Sequence, residues 1–130
     1  MTCPISRFSA ISLVFLACAV AMGAMGSHFL ESKLSNCLLD TWETAVQYQF
    51  WNALGLTGLS LLARSYRVSL GLAMTFLVVG IVLFSGSLYV LCLAPNPWIV
   101  YLTPLGGLSL LIGYTGAAIR LVRIPNENKA

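Results

Sequence analysis

Polar and apolar positions hardly alternate along this chain. Four long stretches, Phe8 to Gly26, Val46 to Ala63, Val68 to Leu93 and Trp98 to Ile119, carry no charged side chain. Crossing about 30 Å of hydrocarbon takes about 20 mostly apolar residues, and with no water at that depth each backbone polar group must be bonded within the segment, which selects helices. The pattern therefore predicts an all-α fold: a four-helix transmembrane bundle, with helices over about 8–26, 42–63, 68–93 and 98–119 of a single integral domain spanning 1–130. A soluble four-helix bundle would instead show a broad polar stripe on every helix. The third stretch has none.

Composition agrees. The 130 residues are 58% hydrophobic and 8% charged, with a mean hydropathy of +0.88, where a water-soluble domain carries about 25% charged residues. So little charge cannot wrap a water-facing surface around a core. The first stretch resembles a secretion signal, with Arg7 ahead of an apolar run and small residues at Ala24 and Gly26. "FLAC" at 15–18 loosely matches a lipid-attachment box, but Phe15 is a poor fit to it and the run continues past Cys18, so an uncleaved first helix is expected.

Charge placement gives an orientation. Arg7 precedes helix one, Arg64 and Arg67 lie between helices two and three, and Arg120, Arg123 and Lys129 follow helix four. Between helices one and two stand Glu31, Asp40 and Glu43 against Lys33, and Ala94 to Pro97 is uncharged. Basic residues gather on the cytoplasmic side, so both termini are expected inside and residues 27–40 outside. Topology accounts for the net charge of +3, with no nucleic-acid patch required.

The links "RSYR" (64–67) and "APNP" (94–97) are short, making their flanking helices antiparallel neighbours; Pro95 and Pro97 stop helix three. The longer outer link differs. Leu30, Leu34, Cys37 and Leu38 recur at helical spacing among polar residues, which predicts a short amphipathic helix on the outer surface, about 28–39. Asp40 with Glu43 three residues on then reads as a capping box starting helix two near Thr41.

This geometry sets the depth of the polar residues in "VQYQFWNALG" (46–55). Asn52 falls near mid-membrane, with Tyr48 one turn outward on the same face and Gln49 beside them, while Gln47 points away with Trp51. Ser85 and Ser87 on helix three, Thr103 on helix four and His28 at the outer end of helix one reach similar heights. One outer layer thus collects His28, Tyr48, Gln49, Asn52, Ser85, Ser87 and Thr103. It reads either as interhelical hydrogen-bonded glue or as an outward-facing polar cavity for a small solute or ion. Pro104, inside helix four, predicts a kink there or a broken-helix binding site. Glycines in every helix favour close helix packing over a wide pore. "GLSLL" at 58–62 and again at 107–111 is too short, in so Gly- and Leu-rich a chain, to establish a duplication.

Reactive constellations are sparse. His28 is the only histidine, and Cys3, Cys18, Cys37 and Cys92 lie in four separate segments without metal-ligand spacing. There is no phosphate-cradling glycine loop, and no carboxylate stands at mid-depth to relay protons. His28 with Glu31 makes at most a weak surface pair. No catalytic residue, cofactor or metal is expected, and no disulfide, since Cys3 and Cys37 face opposite sides.

"GAMGSHFL" (23–30), "YQFWNAL" (48–54), "LFSGSLY" (83–89) and "TPLGG" (103–107) together resemble a small bacterial inner-membrane family typified by YgdD and YwdK and related to a small eukaryotic transmembrane protein. The resemblance runs from helix one to helix four and implies four transmembrane helices in the plasma membrane; the family's own function is uncharacterised. It also implies histidine as the frequent residue at position 52 and tryptophan at 114. Asn52 neither titrates nor binds metals as histidine does, whereas a hydrogen-bonding role survives the exchange. Three functions remain: a non-catalytic structural or accessory component, alone with membrane lipids or as a homo-oligomer or part of a larger membrane complex; a small oligomeric transporter or channel for an uncharged or weakly polar solute; and a membrane enzyme, disfavoured by the missing nucleophile, base and metal ligands.

Overall fold

Four helices carry nearly all of the ordered backbone: α1 (Pro4–Met25), α2 (Asn36–Ser65), α3 (Gly71–Leu93) and α4 (Leu102–Val122). The structure, a computed structural model, describes residues 4–124, with side chains from Arg7 onward. Cys3, Lys129 and the outermost ends of the 1–130 domain lie outside the described residues. The fold is all-α, and three of its helical stretches, Arg7–Leu30, Gly71–Leu93 and Ile99–Val122, are long and apolar enough to cross a membrane. The other helix, α2, is the longest at 30 residues, or about 45 Å, and carries more polar side chains than any other helix.

The segment between α1 and α2 differs from the surface helix expected over 28–39. Gly26–Leu30 extends α1 as a π-helical turn, 31–35 is irregular, and Asn36 already belongs to α2. The Asp40–Glu43 capping box is likewise corrected. Ser35, in extended conformation (φ −65°, ψ 157°), is the N-cap, and its hydroxyl accepts from the Leu38 N–H at 3.4 Å. A serine at the first available cap outcompetes an aspartate five residues on, because every residue added to a started helix gains a backbone bond.

Pro104 lies close to the start of α4. A 3-10 turn, Ile99–Tyr101, leads into α4, which begins at Leu102. Pro104 therefore stands in the first turn of α4, directly after a 3-10 turn whose N–H groups at Tyr101 and Leu102 bond back to Trp98 and Ile99. The proline ring falls where 3-10 winding gives way to α-helical winding.

Packing follows chain order: α1 pairs with α2, α2 with α3 and α3 with α4, all antiparallel. Three glycines set the α3–α4 distance. A methyl group on Gly106 would fall 2.8 Å from the Phe84 Cα, one on Gly80 2.6 Å from Leu110 and one on Gly113 2.9 Å from the Ala73 carbonyl oxygen. The buried apolar residues form two clusters. One, centred on Leu56, Met74, Leu77, Ile81 and Leu110, fills the end bearing Arg64 and Arg67. The other, Leu30, Trp42, Ala45, Tyr89 and Cys92, fills the end bearing Asp40 and Glu43. Along α2 the two are separated by Gln49 and Asn52, and along α3 by Ser85 and Ser87, all buried.

Candidate functional site

The seam between the clusters is where polar chemistry concentrates. An amide buried in hydrocarbon costs several kcal/mol unless each end finds a partner, and both amides here do. Gln49, 6% exposed, donates from Nε2 to the Phe15 carbonyl of α1 at 2.9 Å, and its Oε1 accepts from the Tyr89 hydroxyl of α3 at 2.9 Å. Asn52, 8% exposed, donates to the Tyr48 carbonyl one turn back at 2.8 Å and accepts from the Tyr114 hydroxyl of α4 at 2.9 Å. Two neighbouring α2 side chains thus bond to all three other helices.

The remaining residues expected in the layer are not part of one network. Ser87 and Thr103 share a separate bond of 2.6 Å between α3 and α4. Ser85 Oγ is buried without a hydrogen-bond partner. The Tyr48 ring is partly exposed and packs on Phe84 with centroids 4.6 Å apart, so its carbonyl, not its hydroxyl, serves Asn52. His28 is exposed in the π-helical turn. Tyr89 and Tyr114, which complete the two amides, are missing from the layer predicted by depth. Their long side chains reach beyond the height of their own Cα atoms.

A second feature escaped the sequence reading altogether. Four polar rungs join α1 to α2: Ser9 to Ser60 (3.0 Å), Thr57 to Ser12 (2.9 Å), Gln49 to the Phe15 carbonyl (2.9 Å) and the Trp42 indole N–H to the Met22 carbonyl (2.8 Å). The rungs descend α1 as they climb α2, fixing the antiparallel register. Trp42 is fully buried, and Gly26 leaves it room, since a methyl group there would sit 2.8 Å from the indole ring. The available signal was the matched spacing of Ser9 and Ser12 against Thr57 and Ser60, three residues apart in each helix.

Among the described residues no three His, Cys, Asp or Glu side chains come together as metal ligands. What this geometry can do chemically is hold helices in register by hydrogen bonds at both ends of each amide.

Four helices, three of spanning length and composition, organised around a buried polar seam, define a multi-span, all-helical membrane protein. The chain belongs to the family described as "Protein of unknown function (DUF423)", whose model matches residues 22–107. It is 38% identical over 106 residues to a UPF0382 membrane protein of Staphylococcus saprophyticus, covering 82% of this chain and 88% of the relative. To the UPF0382 membrane protein YwdK of Bacillus subtilis it is 38% identical over 107 residues, 81% and 87% of the two chains. To the UPF0382 inner membrane protein YgdD of Escherichia coli it is 34% identical over 128 residues, 94% and 95%. No solved structure matches.

Proposed function

We propose that this chain is a non-catalytic structural or accessory component of a bacterial inner membrane, crossing it four times with both termini cytoplasmic. The observation that carries the reading is the bonding of Gln49 and Asn52 at both amide ends. Both ends of both amides are already bonded within the chain, so their polar groups are committed to holding α1, α3 and α4 against α2. The place of α2 between α1 and α3 supports its being the fourth span, despite its polar side chains. Location in the inner membrane is supported by the name of the E. coli relative, and orientation by the basic end at Arg64, Arg67, Arg120 and Arg123. Kinship with a small eukaryotic transmembrane protein remains part of the same proposal, tested by threading such a sequence through the Gln49–Tyr89 and Asn52–Tyr114 pairs.

The test is gentle detergent extraction of the native protein with identification of what co-purifies, alongside solute flux in vesicles holding the purified chain. A stable homo-oligomer or a reproducible membrane partner, with glycerol and urea flux no higher than in empty vesicles, is the expected result. One observation favours a transporter instead: the buried Ser85 hydroxyl has no partner, as a group awaiting a polar solute would. Flux that Ser85→Ala or Asn52→Leu abolishes while the helices stay assembled would overturn the structural reading.

A further inference from the structure

We propose that the cavity at the turn between α2 and α3 binds one anionic phospholipid, its phosphate held by Arg64 and Arg67 and an acyl chain lying along the apolar wall. The cavity measures about 410 Å³ and is walled by Phe8 of α1, Ala63 of α2, Val68 of the turn and Leu70 and Met74 at the start of α3, with both arginines in its lining. That volume lies in the range of small-molecule sites, and its lining, like a phospholipid, combines charge with hydrocarbon.

The charge calls for an anion. Among the described residues no carboxylate pairs with Arg64 or Arg67; Glu31, Asp40 and Glu43 lie before or within the first turns of α2, about 30 Å away along that helix. Two guanidiniums with no carboxylate partner among the described residues offer forked donors that match phosphate oxygens, and basic pockets between spans at the membrane boundary suit lipid head groups. A zwitterionic lipid would bring an ammonium group toward the same arginines. Free phosphate would leave the half-buried Phe8 and Val68 uncovered.

The backbone supplies a means of testing this without unfolding the protein. α2 ends in a Schellman motif: the Val68 N–H bonds to the Ala63 carbonyl at 3.0 Å and the Arg67 N–H to that of Arg64 at 3.4 Å, with Arg67 at φ 52°. Glycine is the usual occupant of that left-handed position. Arg67→Gly therefore removes the guanidinium and favours the turn at the same time.

The purified full chain in detergent is titrated with dioleoyl-phosphatidylglycerol and, separately, dioleoyl-phosphatidylcholine, and bound lipid is counted by native mass spectrometry. One phosphatidylglycerol per chain is expected, held roughly ten-fold more tightly than phosphatidylcholine, as a site with two guanidiniums requires. Arg64→Gln and Arg67→Gly should each weaken it several-fold with helical circular dichroism unchanged, and Arg123→Gln, outside the cavity, should not. Equal binding of the two lipids, or undiminished phosphatidylglycerol binding in the Arg64→Gln, Arg67→Gly double variant, overturns the proposal. So does displacement of the lipid by inorganic phosphate at low millimolar concentration, which would make the site one for a free anion.

Discussion

Replacing Asn52 with leucine removes two hydrogen bonds but only one between helices, that from Tyr114. Interhelical bonds of this kind in membranes average about 0.6 and reach about 1.7 kcal/mol, so Asn52→Leu should destabilise the folded chain by about 1 kcal/mol. A double-mutant cycle with Tyr114→Phe, read by reversible unfolding in mixed micelles, should give a coupling within that range; zero coupling would mean the bond contributes nothing. Arg67 acts in the opposite sense. Its left-handed backbone costs about 1 kcal/mol relative to glycine, and Arg67→Gly should raise the unfolding midpoint in lipid-free detergent. The sequence placed Asn52 on one face with Tyr48 at the right height for an interhelical bond. It did not disclose Tyr114, because α2 and α4 are not chain neighbours and their mutual register depends on how α3 packs between them.

Helix ends and close approaches decide matters at the level of elements. Ser35→Ala should cost about 1 kcal/mol by removing the cap of α2, with fraying visible as faster amide exchange at Cys37 and Leu38. The glycines divide sharply by what surrounds them. Gly106→Ala drives a methyl into the Phe84 backbone and should cost about 1–3 kcal/mol, whereas Gly86, with nothing within 4 Å of the added carbon, should accept alanine with little change in the same unfolding assay. Four helices were legible, three of them because membrane-length hydrophobic stretches have few other uses. The start of α2 was not: leucines at 30, 34 and 38 suit a surface helix as well as a first turn, and the choice fell to the Ser35 cap. The 3-10 turn ahead of α4 was not legible either, because an apolar run does not reveal how its first residues wind.

For the whole molecule, orientation is the property most open to direct measurement. Single cysteines at positions 35 and 65, in a chain lacking its native cysteines, should react oppositely with an impermeant thiol reagent on intact cells. Labelling at 35 alone is expected from the charge distribution, and labelling at 65 alone would invert the assignment. The two apolar clusters and the seam between them lay beyond sequence reading for a physical reason. Depth along each helix can be counted from its ends, but which buried faces meet depends on rotation about each axis, and a stretch that is apolar all round, such as α3, carries no mark of its rotation.

The pairing of each helix with its predecessor has a bearing on biogenesis. As the chain leaves the ribosome, α1 and α2 can zip together through their serine, threonine and glutamine rungs before α3 exists, and α3 then finds a finished surface. Only one described side-chain bond between α2 and α4 waits for the end of synthesis, that between Tyr114 and Asn52 across 62 residues of sequence. Until α4 docks, the Asn52 amide oxygen lacks that bond, so a nascent chain arrested before α4 is left with one polar group short of its final partner.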